Sequence, residues 1–218
     1  SAKNFGIQDE RRAESKPKPA LSIAEENQLL DTCKLREDDF WYDVIVFAID
    51  TGLRHDGELN KFTPDEIDFG KKTMTLKRPK TGKWSTIPLT NRALEVVKRR
   101  REVALKNDGN RFFPISKSSL RHNWDKYIKL SGISDEYTPY STRHTFITRL
   151  VEADVSPKAV QHLAGHKSIE TTLQYYTHST NEVLENAITK LENYKSNKAK
   201  KVAPVASMIG HNSRKVLK

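Results

Sequence analysis

Two adjacent tyrosines, Tyr175 and Tyr176, lie near the end of the stretch LAGHKSIETTLQYYTH. A tyrosine hydroxyl can attack a phosphate if neighbouring groups accept its proton or stabilise the phenolate, and His166 lies upstream in the same stretch. On a helix of about 100° per residue, Ile169, Leu173 and Tyr176 share one face, and Tyr175 points away from it. We therefore predict that Tyr176 faces the body of the protein, as a core aromatic or as a nucleophile.

Basic side chains recur where an anion would be bound. Arg143 opens a helix in the segment STRHTF, and a helix N-terminus together with a guanidinium favours phosphate, although an exposed charge fits the same position. Lys80 and Lys83 flank the turn of a hairpin in RPKTGKWSTIPL, where a lysine can reach a bound backbone or can serve only solubility. Taken one at a time, these segments leave a phosphate-binding role and a purely structural role both open.

Arg54 follows the glycine that ends the most apolar helix of the chain, in the segment TGLRHDGEL. An arginine this close to the core needs an anionic partner. The sequence offers Asp56, Glu58 or a bound phosphate, and it does not choose among them.

The elements that must position these side chains are mostly helices. Caps and apolar periodicity predict helices over about residues 22–33, 40–49, 91–105, 118–130, 142–153, 157–163 and 168–177, with another after Ser179. Alternating segments at 65–69, 73–77 and 85–89 predict three strands around turns. The predicted fold class is mainly α with a small antiparallel β-sheet, an α+β domain.

The helices predicted at 157–163 and 168–177, with Gly165 between them, also fit a helix-turn-helix. A DNA-binding protein without catalysis is therefore an alternative. It leaves Arg54 and Lys80 unexplained, because a simple repressor has no need to place them.

Composition indicates a polyanionic partner. The 218 residues carry a net charge of +10, which favours nucleic acid without separating DNA, RNA and anionic lipid. The single cysteine, Cys33, excludes an internal disulfide and favours a reducing, cytoplasmic setting. No apolar run is long enough to span a membrane, and no carboxylate or histidine cluster has metal-ligand spacing.

The segments TGLR, KTGK, TPYSTRH, LAGHKS and YTH occur in this order. Together they resemble the catalytic domain of the tyrosine recombinases, the phage integrase family, from about residue 20 to about 190. The resemblance implies that DNA is cut and rejoined through a 3′-phosphotyrosine intermediate, without a metal or another cofactor.

The resemblance also assigns phosphate-binding residues. Arg54 and Arg143 match the two arginines of the family that hold the non-bridging oxygens of the scissile phosphate. His166 resembles a histidine that hydrogen-bonds the same phosphate. Tyr140 stands where the family usually has a histidine, so a phenol would donate to the phosphate there. The family's acid three residues after its first arginine is displaced to Glu58 here, or replaced by Asp56.

Two residues would act on the DNA backbone directly. Tyr176 matches the nucleophile, because the family often shows TTLxxYxH and this chain has TTLQYYTH. Lys80 matches the hairpin lysine that protonates the leaving 5′ oxygen, and Lys83 is the second candidate. Tyr175 has no role in this assignment.

Residues 1–20 are interpreted as a linker, residues 21–194 as the catalytic domain and residues 195–218 as a basic, flexible tail. The family normally has a further N-terminal domain that clasps the DNA, which residues 1–20 could not form. The expected partners are double-stranded DNA and three further copies, in a tetramer held by the C-terminal helix. The expected setting is integration or excision of a mobile element, with resolution of replicon dimers or relaxation of supercoils as alternatives.

Overall fold

A computed structural model describes residues 19–79, 82–107, 110–176, 185 and 187–195. The chain divides into one unit that ends at Tyr175 and a second that begins at Tyr176. The segments predicted as the linker before residue 19 and as the basic tail after Lys195 lie outside the described residues. Within the described ranges, no helix is long and apolar enough to cross a membrane.

Side-chain caps fix where the helices of the first unit begin. The predicted capping box is present, since Ser22 Oγ accepts from the Glu25 N–H and the Glu25 carboxylate accepts from the Ser22 N–H. Four later helices begin with a side-chain oxygen that accepts a backbone N–H of the first turn, from Thr90, Ser116, Ser156 and Ser168. The helices are α1 (Ile23–Leu35), α2 (Asp39–Thr51), α3 (Asn91–Lys106), α4 (Lys117–Ser131), α5 (Ser141–Glu152), α6 (Pro157–Ala164) and α7 (Ile169–Leu173).

The sheet is antiparallel in the order β1-β2-β3, with β1 at Ile67–Asp68, β2 at Thr73–Lys77 and β3 at Trp84–Pro88. Met74, Leu76 and Ile87 are buried and alternate with outward-facing residues, so one face packs on the helices. The strand predicted at 65–69 is shorter than expected, because Pro64–Glu66 forms a 3₁₀ turn with its own capping box. The hairpin between β2 and β3 is confirmed.

The core of the first unit is built around α2, which packs against α1, α3 and α5. Nearly every side chain of α2 is buried, which explains its continuous apolar pattern. Phe47 stacks on Phe62 with ring centroids 5.4 Å apart and contacts Phe113 at 5.3 Å. This core fixes the C-terminus of α2, where the segment with Arg54 begins.

Gly52 ends α2 with φ +60 and lies against the ring of Phe146 on α5. A Cβ at this position would lie 2.3 Å from Phe146 Cδ1. We expect Gly52→Ala to lower the free energy of unfolding by about 3 kcal/mol, from left-handed strain and overpacking together. Urea denaturation measures this loss.

Gly82 provides the matched control for Gly52, because it has φ +67 and a Cβ added there would meet no other atom within 4 Å. Gly82→Ala should therefore show the backbone strain alone, about 1 kcal/mol. Equal losses for the two variants would mean that the contact with Phe146 relaxes without cost.

The second unit is described from its helical part, which covers residues 185 and 187–195. Ile188, Leu191 and Tyr194 are 59%, 49% and 60% exposed and repeat at a spacing of three residues. The helix predicted after Ser179 is therefore present in this part, and its apolar side chains are open to solvent. Val183, Leu184 and the predicted cap at Ser179 lie outside the described residues.

Candidate active site

Three guanidinium groups meet at the C-terminus of α6. The last carbonyl groups of a helix have no intrahelical partner and carry partial negative charge. Arg78 Nη2 donates to Leu163 O at 2.8 Å, Arg143 Nη2 donates to Ala164 O, and Arg54 Nη2 donates to Gly165 O at 3.1 Å. Three successive carbonyls thus bind three arginines that come from distant parts of the chain. We call these three arginines the arginine cluster.

Glu58 is the acid that orients Arg54. Its carboxylate is 4% exposed and accepts from Arg54 Nη1 at 3.0 Å and from the Arg54 N–H at 2.7 Å. Asp56 is exposed and pairs with Lys117 at 3.6 Å. Of the two acids that the sequence left open, the structure selects Glu58, and the loop accommodates the extra residue.

Arg143 is the most enclosed member of the arginine cluster, with 1% of its surface exposed. Its Nη1 donates to Gly52 O at 2.6 Å, so its side chain joins the ends of α2 and α6. Burial, and then the nearby Arg54 charge, lower the pKa of Arg143 from its ordinary value. Its Nε is buried and has no hydrogen-bond partner among the described residues.

His166 lies directly after the turn that ends α6. Its Nδ1 is 2.8 Å from Thr172 Oγ1, on the buried side of α7. Burial and the charges of Arg143 and Arg54 lower the pKa of His166 to about 4, so the imidazole is neutral at pH 7. Thr172 was missed from the sequence, where only the following tyrosines drew attention.

Tyr140, His144 and Tyr175 form an aromatic group beside His166. Tyr140 directly precedes α5, is 39% exposed and packs edge-on against His144 with centroids 4.9 Å apart. Tyr175 Oη lies 2.7 Å from His144 Nδ1, and its ring stacks on His166 at 6.3 Å. Burial raises the pKa of Tyr175 to about 12, with Tyr140 adding to the rise and Arg143 opposing it. The Tyr175 phenol therefore stays protonated.

The prediction that Tyr175 points away from the protein is wrong. The α-helix predicted to Thr177 ends at Leu173 and continues as a 3₁₀ turn, Gln174–Tyr176, which has about three residues per turn. The rotation of about 100° per residue that we assumed does not apply there. The face predicted to point inward, with Leu173, is also wrong, since Leu173 is 45% exposed and Thr172 is buried. The orientation of the helix therefore gives no reason to choose Tyr176 over Tyr175 as the nucleophile. The match of TTLQYYTH to the family motif is the remaining reason.

Two predicted residues are not placed in this unit. Lys80 lies outside the described residues, between β2 and β3 in the sequence. Lys83 is exposed, and its carbonyl accepts from the Arg78 N–H at 2.8 Å. Tyr176 is half-buried and begins the second unit, and burial raises its pKa.

The site is suited to binding an oxyanion. The arginine cluster and the carboxylate of Glu58 leave an excess of two positive charges next to a neutral imidazole. Across the parts of the chain that the structure describes, no three His, Cys, Asp or Glu residues are grouped to hold a metal. A helix-turn-helix fits less well, because α7 has five residues and the end of α6 is covered by arginines.

The lowered pKa of His166 predicts a pH dependence of stability. Between about pH 6.5 and pH 4 the unfolded chain binds a proton that the folded imidazole does not, so stability falls as the pH falls through this window. Burial lowers the pKa of His55 to about 4 as well, with the same sign. We expect His166→Gln and His55→Asn each to flatten the dependence measured by urea denaturation at a series of pH values. If the free energy of unfolding varied with pH as steeply in both variants as in the wild type, the assignment of the pH dependence to His166 and His55 would be contradicted.

A helical fold with a buried arginine cluster defines a class of oxyanion-binding protein. Within that class, the chain belongs to the phage integrase family, the tyrosine recombinases, whose family model matches residues 20–182. The transposase from transposon Tn916 of Enterococcus faecalis is 27% identical over 201 residues, covering 75% of this chain and 49% of that protein. Tyrosine recombinase XerA of Pyrococcus furiosus is 32% identical over 157 residues, covering 66% and 52%. The chain spans about half the length of the curated relatives it matches.

Solved structures share the fold. The Tn1549 transposon integrase in complex with transposon right end DNA matches with a TM-score of 0.67 and 24% identity, covering 82% of this chain and 67% of that one. A lambda integrase dimer bound to a core site matches with a TM-score of 0.60 and 26% identity, covering 76% and 50%. The predicted fold class and the resemblance to the family are therefore confirmed.

Proposed function

We propose that this chain is a site-specific recombinase that cuts and rejoins double-stranded DNA through a 3′-phosphotyrosine intermediate. The observation that carries the proposal is the arginine cluster at the end of α6, with its excess positive charge beside the neutral His166. A phosphodiester carries one negative charge, and the pentavalent species formed by phenolate attack carries two. The arginine cluster therefore complements the pentavalent species better than the phosphodiester, and stronger binding of the transition state is the requirement for catalysis.

Arg54 and Arg143 are the proposed ligands of the non-bridging oxygens. Each terminal guanidinium nitrogen carries two N–H groups, so a nitrogen that holds a helix carbonyl can donate its second N–H to phosphate. Since Arg143 is 1% exposed, side chains that cover it must move when DNA binds. His166 Nδ1 lies 2.8 Å from the Thr172 hydroxyl, and we propose the tautomer in which Nδ1 accepts from that hydroxyl, so that Nε2 carries the hydrogen and donates to the same phosphate. Tyr140 is a further donor.

In the proposed reaction Tyr176 gives its hydroxyl proton to solvent, and the phenolate oxygen forms a bond to phosphorus as the bond to the 5′ oxygen breaks. The leaving oxygen takes a proton from Lys80, which regains one from solvent, and rejoining reverses these steps. The motif TTLQYYTH supports Tyr176 as nucleophile, and the high pKa and existing hydrogen bond of Tyr175 suit a supporting residue.

Integration or excision of a mobile element is the proposed setting, supported by the likeness to the Tn916 transposase. The likeness to XerA favours a second candidate, the resolution of replicon dimers by the same chemistry. Recombination between two different sites would support the first setting. Recombination only between identical sites would support the second.

Covalent capture tests the chemistry. The chain is incubated with nicked duplexes of randomised sequence, in which cleavage releases a short fragment with a new 5′ hydroxyl. Loss of this fragment by diffusion prevents rejoining and traps the protein on the 3′ phosphate. We expect a covalent protein–DNA adduct that survives denaturing electrophoresis, forms in the presence of a chelator and maps to one tyrosine peptide. Absence of any adduct, or an adduct only with added metal, would overturn the proposal.

We further propose that the C-terminal helix docks on a neighbouring copy in a DNA-bound tetramer, and that a separate N-terminal domain clasps the other side of the DNA. The exposed stripe of Ile188, Leu191 and Tyr194 supports docking, because burying such side chains contributes about 1.5–3 kcal/mol each. The lambda integrase of known structure is a dimer on its core site.

Deletion from Asn181 onward is expected to remove higher-order assembly on DNA while single-site binding survives. Gel shift and light scattering on the captured duplex measure both properties. The triple variant Ile188→Ser, Leu191→Ser, Tyr194→Ser keeps the chain length and should give the same loss. If assembly persists in both the deletion and the triple variant, the apolar stripe packs on its own chain and does not hold the copies together.

A further inference from the structure

Arg78 is a buried cation that the family motifs do not account for. It follows β2 at the base of the hairpin and is 2% exposed. Its guanidinium donates to Glu58 Oε1 at 3.3 Å and to Leu163 O at 2.8 Å. Burying a cation this deeply costs free energy unless the cation is paired and hydrogen-bonded. The buried position of Arg78 therefore calls for a physical reason.

Arg78 and Arg54 share one carboxylate oxygen. Glu58 Oε1 lies 3.0 Å from Arg54 Nη1 and 3.3 Å from Arg78 Nη1. With Arg54 alone, Glu58 would form a closed pair of zero net charge. With both arginines present, one negative charge is divided between two guanidiniums, and positive charge remains for an incoming anion.

The turn after α6 is shaped around the Arg78 side chain. A Cβ at Gly165 would lie 2.7 Å from both Cζ and Nε of Arg78. The same glycine carbonyl accepts from Arg54 Nη2 at 3.1 Å. The Arg78 guanidinium therefore packs on the same glycine whose carbonyl holds Arg54, so the placement of one arginine depends on the other.

We infer that Arg78 is a positioning residue for DNA cleavage, which fixes Glu58 and the Leu163–Gly165 backbone and through them the guanidinium of Arg54. The inference rests on the proposed function. Arg78 does not need to touch the DNA in this role. Loss of Arg78 should weaken the stabilisation that Arg54 gives to the negative charge on the scissile phosphate.

The first test needs no DNA. In ¹⁵N NMR spectra, the Arg54 side-chain N–H signals are assigned by their loss in Arg54→Lys. In the wild-type chain we expect these signals to be sharp and separate, because the Arg54 guanidinium rotates slowly. In Arg78→Met faster rotation should average them, and Arg78→Lys should be intermediate. Arg121→Met, which removes an exposed arginine of α4, is the control for net charge and should leave them unchanged. Unchanged Arg54 signals in Arg78→Met would overturn the inference whatever the activity.

The second test compares two substrates under single-turnover conditions on the captured duplex. Arg78→Met should slow cleavage of the natural phosphodiester on the order of 10- to 100-fold, as a misplaced catalytic group does. A methylphosphonate at the scissile position has no charge to stabilise, so the defect should shrink there, as it should for Arg54→Ala. A general loss of folding would instead slow both substrates alike.

The outcomes separate the two proposals. If the wild-type chain forms no adduct, the proposed function fails, and this inference fails with it. If the wild-type chain cleaves and Arg78→Met does so as fast as Arg121→Met, only the inference fails. If Arg78→Met does not fold, Arg78→Lys decides by the same substrate comparison, and an equal defect on both substrates would refute positioning.

Discussion

Tyr176→Phe is expected to abolish covalent adduct formation while DNA affinity stays nearly unchanged. The hydroxyl is needed only for attack on phosphorus, whereas affinity depends on many phosphate contacts of a chain with net charge +10. Denaturing electrophoresis of the captured duplex measures the adduct, and gel shift at a fixed salt concentration measures affinity.

Tyr175→Phe is the matched control one residue away. It removes the hydrogen bond to His144 Nδ1, a loss of about 1 kcal/mol in stability, and should leave adduct formation intact. If Tyr175→Phe is inactive and Tyr176→Phe active, the nucleophile is Tyr175, and the contact with His144 would be the way its proton is removed.

Arg143→Ala is expected to lower the cleavage rate by roughly 100-fold or more, as loss of a transition-state donor does. It also leaves Gly52 O and Ala164 O without their donor, which should lower the free energy of unfolding by about 2 kcal/mol. Single-turnover cleavage and urea denaturation of the same preparation measure the two effects.

Arg143→Lys separates these effects, because it keeps the charge and loses the fork that spans two carbonyls. We expect it to restore part of the stability, through one of the two carbonyls, and little of the rate. Arg121→Ala, at an exposed position of α4, should change neither. A cleavage rate for Arg143→Ala within a factor of a few of wild type would remove Arg143 from the site.

Much of the fold could be predicted from local signals. Capping side chains such as Ser22 and Ser156, and the stop at Gly52, set helix ends to within a few residues, because these signals act within one turn. The 3₁₀ turn after Leu173 could not be predicted, since the sequence continues with helical periodicity and only tertiary packing of Thr172 and Tyr175 sets the geometry.

The site was predictable where a motif carries it. The segments around Arg54, Arg143 and His166 indicated a phosphate site, and the structure brings these three residues together at one helix end. Arg78 was not predictable, because a basic hairpin does not reveal which of its cations turns inward. The choice of Glu58 over Asp56 likewise depends on the path of a loop that no periodicity describes.

The two carbonyls held by Arg143 have a consequence for the order of folding. Gly52 O and Ala164 O belong to helices far apart in the chain, and one side chain closes the distance between them. Contacts of such long sequence separation form late, after the loop between them has been ordered. During synthesis, α6 leaves the ribosome after α2 and after the helices α1, α3 and α5 that pack against it. A product that ends before α6 would therefore keep the helices around α2 but lack the three carbonyls that hold the arginine cluster.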